Sequence, residues 1–121
     1  DLQQLVKVDG GLAGGEIAYI DGKIYVSIRT YKRNIDDVGN PGSTDGLLAE
    51  FTLIENQTKI QHKRSATVEK GPRHFAVTKN KKNVLVANQF SNSVSEVDLE
   101  TFEVTDKKLE VETPAFVFVE E

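Results

Sequence analysis

The sequence predicts an all-β, antiparallel fold assembled from repeated four-stranded units. Three observations lead there. Apolar residues recur with a period of two, short polar turns separate the runs, and one strand–turn–strand pattern occurs more than once. Helical spacing is hard to find anywhere in the 121 residues.

Strand signals fall at 2–8, 16–20, 23–29, 47–54, 60–68, 73–78, 84–89, 94–99, 104–111 and 115–120. LQQLVKV, at 2–8, reads as the last strand of a unit whose beginning is absent. The run at 16–20 follows a pair of glycines and ends at Asp21-Gly22, a strong signal for a two-residue hairpin loop. KIYVSIR alternates Ile24, Val26 and Ile28 with Tyr25, Ser27 and Arg29, as a half-buried strand does. LLAEFTL carries an acidic residue inside it, Glu50, and runs into the turn former Asn56-Gln57. The more polar IQHKRSATV closes the unit. From Gly71 the order repeats: GPRHFAV, the turn Lys79-Asn80-Lys81, NVLVANQ, the turn Ser91-Asn92-Ser93, SVSEVDL with Glu96 inside it, and a polar fourth strand. TPAFVFVEE opens a third copy and stops after one strand. Connections this short allow antiparallel pairing and leave no room for a parallel crossover.

Four-stranded units recurring every few tens of residues are the sequence sign of a β-propeller. The expected layout has 1–13 as the end of a preceding blade and 14–70 as a blade with a long inserted loop at 30–46. Residues 71–112 form a further blade, and 113–121 the first strand of the closing one. A self-contained small sandwich or barrel is the alternative, and the repeat argues against it. The insertion, TYKRNIDDVGNPGSTDG, is rich in Gly, Asn, Asp and charge and reads as an exposed loop, either functional or disordered.

Composition narrows the functions. Net charge is −4 with scattered basic residues, so a footprint for nucleic acid or an anionic membrane is missing. No apolar run is long enough for a membrane-spanning helix. With no cysteine there is no disulfide, thiol nucleophile or thiolate metal site. No metal-ligand spacing, phosphate-binding glycine loop or nucleophile elbow is found, and no cofactor is expected. The chain begins at Asp1 and contains no methionine, so a piece of something longer is expected. A blade buries its faces against neighbours. The expected partners are therefore the remaining blades of the same precursor, or further copies of the chain. Nothing favours a secreted over a cytoplasmic location. Asn56-Gln57-Thr58 is a glycosylation sequon in a predicted turn, and Lys32-Arg33 and Lys63-Arg64 are dibasic pairs.

GPRHFAV followed by NVLVANQFSNSVSEVDL resembles the lactonase-type seven-bladed propellers, which include bacterial 6-phosphogluconolactonases and fungal carboxy-cis,cis-muconate cyclases. The matching residues are Pro72, Arg73, His74, Phe75 and Ala76, then Val86, Ala87, Asn88, Gln89 and Ser91. The blade before it is similar through Glu16-Ile17, Asp21-Gly22-Lys23 and Ile24 to Arg29, and the closing strand through Pro114 to Val119. Ile28 departs from the asparagine usual there, and the turn before Val84 lacks the usual Asp-Gly.

The resemblance implies a pocket at one mouth of the central channel, taking a small anionic lactone or muconate-type substrate. Such a substrate needs a cation to hold it and a group to move a proton. By resemblance Arg29 is a substrate contact with a possible catalytic part. It could instead be solvated, or paired with Asp36 or Asp37 of the insertion. Arg73, Asn88 and Gln89 are further substrate-binding candidates. Glu16 could be a base or orient an arginine, and a capping or inter-blade salt bridge is the commoner role for such a residue. An unperturbed imidazole titrates near neutral pH, so a histidine at 74 could donate or accept a proton, although a role fastening one blade to the next is the preferred reading. His62, on the outer strand, is expected to be solvated. The alternative to an enzyme is a non-catalytic scaffold or secreted binding propeller that keeps the fold alone, which Ile28 and the insertion fit.

Overall fold

A computed structural model describes residues 14–29 and 45–120. They form eight strands in two four-stranded antiparallel sheets, and no helix occurs among the described residues. The first sheet runs β1 (Gly14–Ile20), β2 (Lys23–Ile28), β3 (Asp45–Ile54) and β4 (Lys59–Lys70), in sequence order from one edge to the other. The second repeats the meander with β5 (Pro72–Val77), β6 (Asn83–Asn88), β7 (Ser93–Asp98) and β8 (Glu103–Glu110). Each sheet is one blade.

Asp21 and Gly22 both take positive φ, 50° and 81°, which makes the β1–β2 loop the primed turn that the strand twist favours. The two innermost strands share an irregularity. β1 shifts register on β2 between Gly14 and Ile17, and β5 shifts on β6 between Pro72 and His74. Each innermost strand therefore carries one extra residue at its start, a bulge that re-aims the side chains beside it.

The registers also equate positions across the blades. Ile17 pairs with Val26 and Phe75 with Val86, so Glu16 and His74 are equivalent. By the same logic Glu50, opposite Tyr25, is equivalent to Glu96, opposite Leu85. These are the acidic residues marked inside the third strands.

Alternation along each strand sorts side chains onto two faces. Val84, Val86 and Val97 of the second blade, with Phe75 and Phe102, meet Tyr25, Leu48, Ala66 and Val68 of the first in one core. Burying each large apolar side chain contributes about 1.5–3 kcal/mol, so this inter-blade core is the main adhesive. The other face of the first blade carries a smaller cluster of Ile28, Ala49 and Phe51.

Glycine is required where backbones meet. A Cβ at Gly15 would lie 2.8 Å from the Arg73 carbonyl oxygen, so β1 touches the start of β5 only because Gly15 has no side chain. Gly71, which opens the GPRHFAV motif, has φ 68° and lies directly under the Phe90 ring.

Some expectations shift. The strand expected at 60–68 is longer, Lys59–Lys70, and β3 begins at Asp45, so the last residues of the expected loop belong to a strand. Residues 114–120, with a strand expected at 115–120, pair with no strand among the described residues, and the Val117 N–H donates to the His74 ring. The unit expected at 1–13, the body of the insertion, and the Lys32-Arg33 pair lie outside the described residues. Lys63-Arg64 lies inside the β4 ladder, with the Arg64 head engaged, which removes it as an accessible processing site. Asn56 occupies an exposed turn at φ 55°.

Candidate functional site

The β1–β2 and β5–β6 hairpins turn at one mouth of the blade pair and open at the other. The open ends bring Glu16, Arg29, His74 and Gln89 to the same mouth.

At its centre Glu16 and His74 meet across the blades, with His74 Nε2 3.2 Å from Glu16 Oε2. The bulge in β1 holds Glu16 from two sides. Its backbone N–H donates to Ser27 Oγ at 2.9 Å, and its Oε1 accepts from the Ile17 N–H at 3.0 Å. His74 is enclosed on its far side by the segment after β8. Phe116 stacks on the imidazole with 4.2 Å between ring centres, and the Val117 N–H donates to Nδ1 at 3.2 Å. Glu16 keeps 36% of its side chain exposed against 17% for His74, so the carboxylate is the member open to solvent.

Arg29 follows the last residue of β2 and directs Nη2 towards the Gly14 carbonyl oxygen, at 3.5 Å. The guanidinium is thereby tied to the start of β1, two residues before Glu16. Asp36 and Asp37, its expected acidic alternatives, lie outside the described residues. Arg73 is exposed beside His74. Gln89 uses its backbone N–H on the Gly71 carbonyl, which leaves its half-buried side chain at the rim.

Asn88 is fully buried, donating Nδ2 to Ser93 Oγ at 3.2 Å and Ser95 Oγ at 2.8 Å. Ser93 in turn donates to Glu69 Oε2, and Lys108 Nζ meets Glu69 Oε1 at 2.7 Å. Burial raises the Glu69 carboxyl, but hydrogen bonds from Lys108 and Ser93 outweigh it and hold the group below its ordinary value. Asn88 thus heads a chain that runs from the buried interior to the partly exposed Glu69 and joins the second blade to β4 of the first.

The sequence reading missed a second inter-blade fastening. Glu50 is buried and accepts from Arg64 Nε at 2.9 Å, with Lys23 Nζ at 3.7 Å. Arg64 also donates to the carbonyls of Leu99 and Glu100 at 2.6 and 2.9 Å, and lies 4.6 Å over the Phe102 ring. Burial, then the Glu50 charge, raises the neighbouring Tyr25 phenol. The signal for Glu50 was visible as an acid inside an apolar strand. Nothing local marked Arg64 as its partner. His62 is not simply solvated, since its ring packs 5.3 Å from Phe51 and bonds Ser65 Oγ at 2.8 Å.

Comparison with known proteins bears on this arrangement. Two solved structures, each described as a "putative 6-phosphogluconolactonase", superpose well. The one from Bacteroides fragilis has a TM-score of 0.64 and 23% identity, covering 85% of this chain and 27% of its own. The one from Bacteroides uniformis has 0.63 and 21%, covering 84% and 28%. Hydrazine synthase from Kuenenia stuttgartiensis matches at 0.53 and 19%, covering 78% and 22%. The chain thus spans 22–28% of the length of these three structures. No curated protein matches its sequence. The family model for the seven-bladed β-propeller lactonases matches residues 4–121. With two repeated four-stranded blades and their inter-blade core, that match is decisive: the chain belongs to the lactonase family of seven-bladed β-propellers.

Proposed function

We propose that this chain forms part of the channel mouth of a lactone-processing propeller, acting on a small anionic lactone or muconate-type substrate. The observation that carries the reading is the Glu16–His74 pair, set beside Arg29 where the inner hairpins open. Arg29 holds the substrate's carboxylate or phosphate through its planar fork, and Arg73 and Gln89 stand at the rim as further contacts. Glu16, open to solvent, takes a proton from water as the water oxygen attacks the lactone carbonyl carbon. The ring C–O bond then breaks, and the departing alkoxide receives that proton to give a hydroxy acid. Asn88, fully buried on its serine contacts, braces the end of β6 and makes no substrate contact in this reading.

The test is lactone turnover by the intact ring. Replacing Glu16 with Gln keeps the size and removes the base. It should lower kcat by about 10²–10⁴-fold. Turnover within a few-fold of the unmodified protein would sink the assignment.

A binding propeller without catalysis is the second reading. It is favoured by one observation, that both ring nitrogens of His74 are occupied by neighbouring segments. An intact ring that binds anionic lactones but hydrolyses none would establish it.

A further inference from the structure

We infer that the segment 114–120 fixes the tautomer of His74, and thereby makes the imidazole a positioning residue for Glu16 instead of a proton carrier. The inference deepens the reading of Glu16 as a base and rests on it only for its catalytic meaning.

The geometry leaves one assignment. The Val117 backbone N–H can only donate, so Nδ1 of His74, 3.2 Å away, must be the bare, accepting nitrogen. The neutral ring's proton then sits on Nε2, which donates to Glu16 Oε2 at 3.2 Å. The reverse tautomer would set two N–H groups against each other at Val117 and leave Nε2 and the carboxylate as two acceptors. Phe116, stacked at 4.2 Å, keeps the ring from turning to relieve either clash. The charged group facing His74 from β1 is Glu16. The segment beyond β8 presents a neutral ring and an amide, and Arg73 on β5 itself is exposed.

Three consecutive inner segments supply this arrangement from related positions. Glu16 and His74 are equivalent by register, and Phe116 stands two residues after Pro114 as His74 stands two after Pro72. The third segment thus acts on the first through the second. Val117 orients His74, and His74 orients the carboxylate, whose Oε1 is already held by Ile17. A carboxylate has about four acceptor sites, and two of them are used here. The free ones are on the group that is open to the mouth.

The test is the protonation pattern of the His74 ring in the intact protein at neutral pH, read from two-bond ¹H–¹⁵N correlations with ¹⁵N-labelled histidine. His74→Gln assigns the signals. The expected pattern has a protonated Nε2 and a bare Nδ1. Val117→Pro, which lacks the donating N–H, should move it towards a mixture of tautomers. A protonated Nδ1 or an averaged pattern in the unmodified protein would overturn the inference, as would an unchanged pattern in Val117→Pro. The readout does not depend on turnover. A failed Glu16→Gln assay with the expected ring pattern removes only the catalytic reading, and the reverse outcome removes only this one.

Discussion

Asn88 ends β6 with its side chain fully buried and its amide nitrogen given to Ser93 and Ser95. The register places Ile28 at the same point of the first blade, with Leu47 where Ser93 stands and Ala49 where Ser95 stands. The first blade has replaced the whole polar set by an apolar one, so the Ile28 departure is a repacking with its compensation built in. Leaving buried hydroxyls without a partner costs about 1–3 kcal/mol, whereas exchanging both sides of a polar contact for apolar groups is close to neutral. Asn88→Ile alone should therefore lower stability by about 1–3 kcal/mol in urea unfolding. Adding Ser93→Leu and Ser95→Ala should restore most of the loss. A triple variant no more stable than the single would show that the two blades do not solve the same packing problem. The departure at Ile28 was legible in the sequence. Its reason was not, because the residues that explain it lie on the next strand, beyond a long insertion.

Strands were the most legible elements, since period-two alternation and turn chemistry are local. Contacts between elements were not, as Arg64 shows. It reads as half of a dibasic pair and folds as a clamp from β4 onto Glu50, Leu99 and Glu100. Removing one partner of a fully buried pair costs about 3–5 kcal/mol. Arg64 is a third exposed, so Arg64→Met should cost roughly 2–3 kcal/mol by the same argument. A loss under half a kilocalorie, the ordinary size for an exposed pair, would contradict the clamp. The Glu69–Lys108 link between β4 and β8 adds a pH dependence. The Glu69 carboxyl is held below its ordinary value of 4.5, so its contribution is present above that value and is lost as pH falls through the lowered one. Lys108 is raised above 10.5 by Glu69, so its part is present below that value and lost as pH rises through the raised one. Glu69→Gln should flatten the acid limb of the stability curve below pH 4.5, as measured by thermal unfolding across pH. An unchanged limb would place the acid sensitivity elsewhere.

For the whole molecule, repetition made the propeller legible: Gly14–Ile20 and Pro72–Val77 open like units because each must present the same bulge and the same faces. The Glu16–His74 contact was open only as two separate possibilities, a salt-bridging acid and a fastening histidine, because it joins strands of different blades. Both outer faces still show apolar side chains. Ile17 and Tyr19 are 65% and 60% exposed on one, and Phe116 and Phe118 are 66% and 74% exposed beyond the other. Alone, the 121 residues should self-associate on size-exclusion chromatography and bind a hydrophobic dye. A well-behaved monomer without dye binding would mean that the blades need no neighbours. The central claim, that the mouth holding Glu16, His74 and Arg29 is where ligand binds, is tested most directly by a crystal structure of the intact ring soaked with a hydroxy-acid product. The account predicts the product carboxylate within hydrogen-bonding distance of Arg29 and the product hydroxyl beside Glu16. Product bound instead at the opposite end of the blades, in the groove of about 410 Å³ lined by Lys23, Tyr25, Lys81 and Leu99, would contradict it.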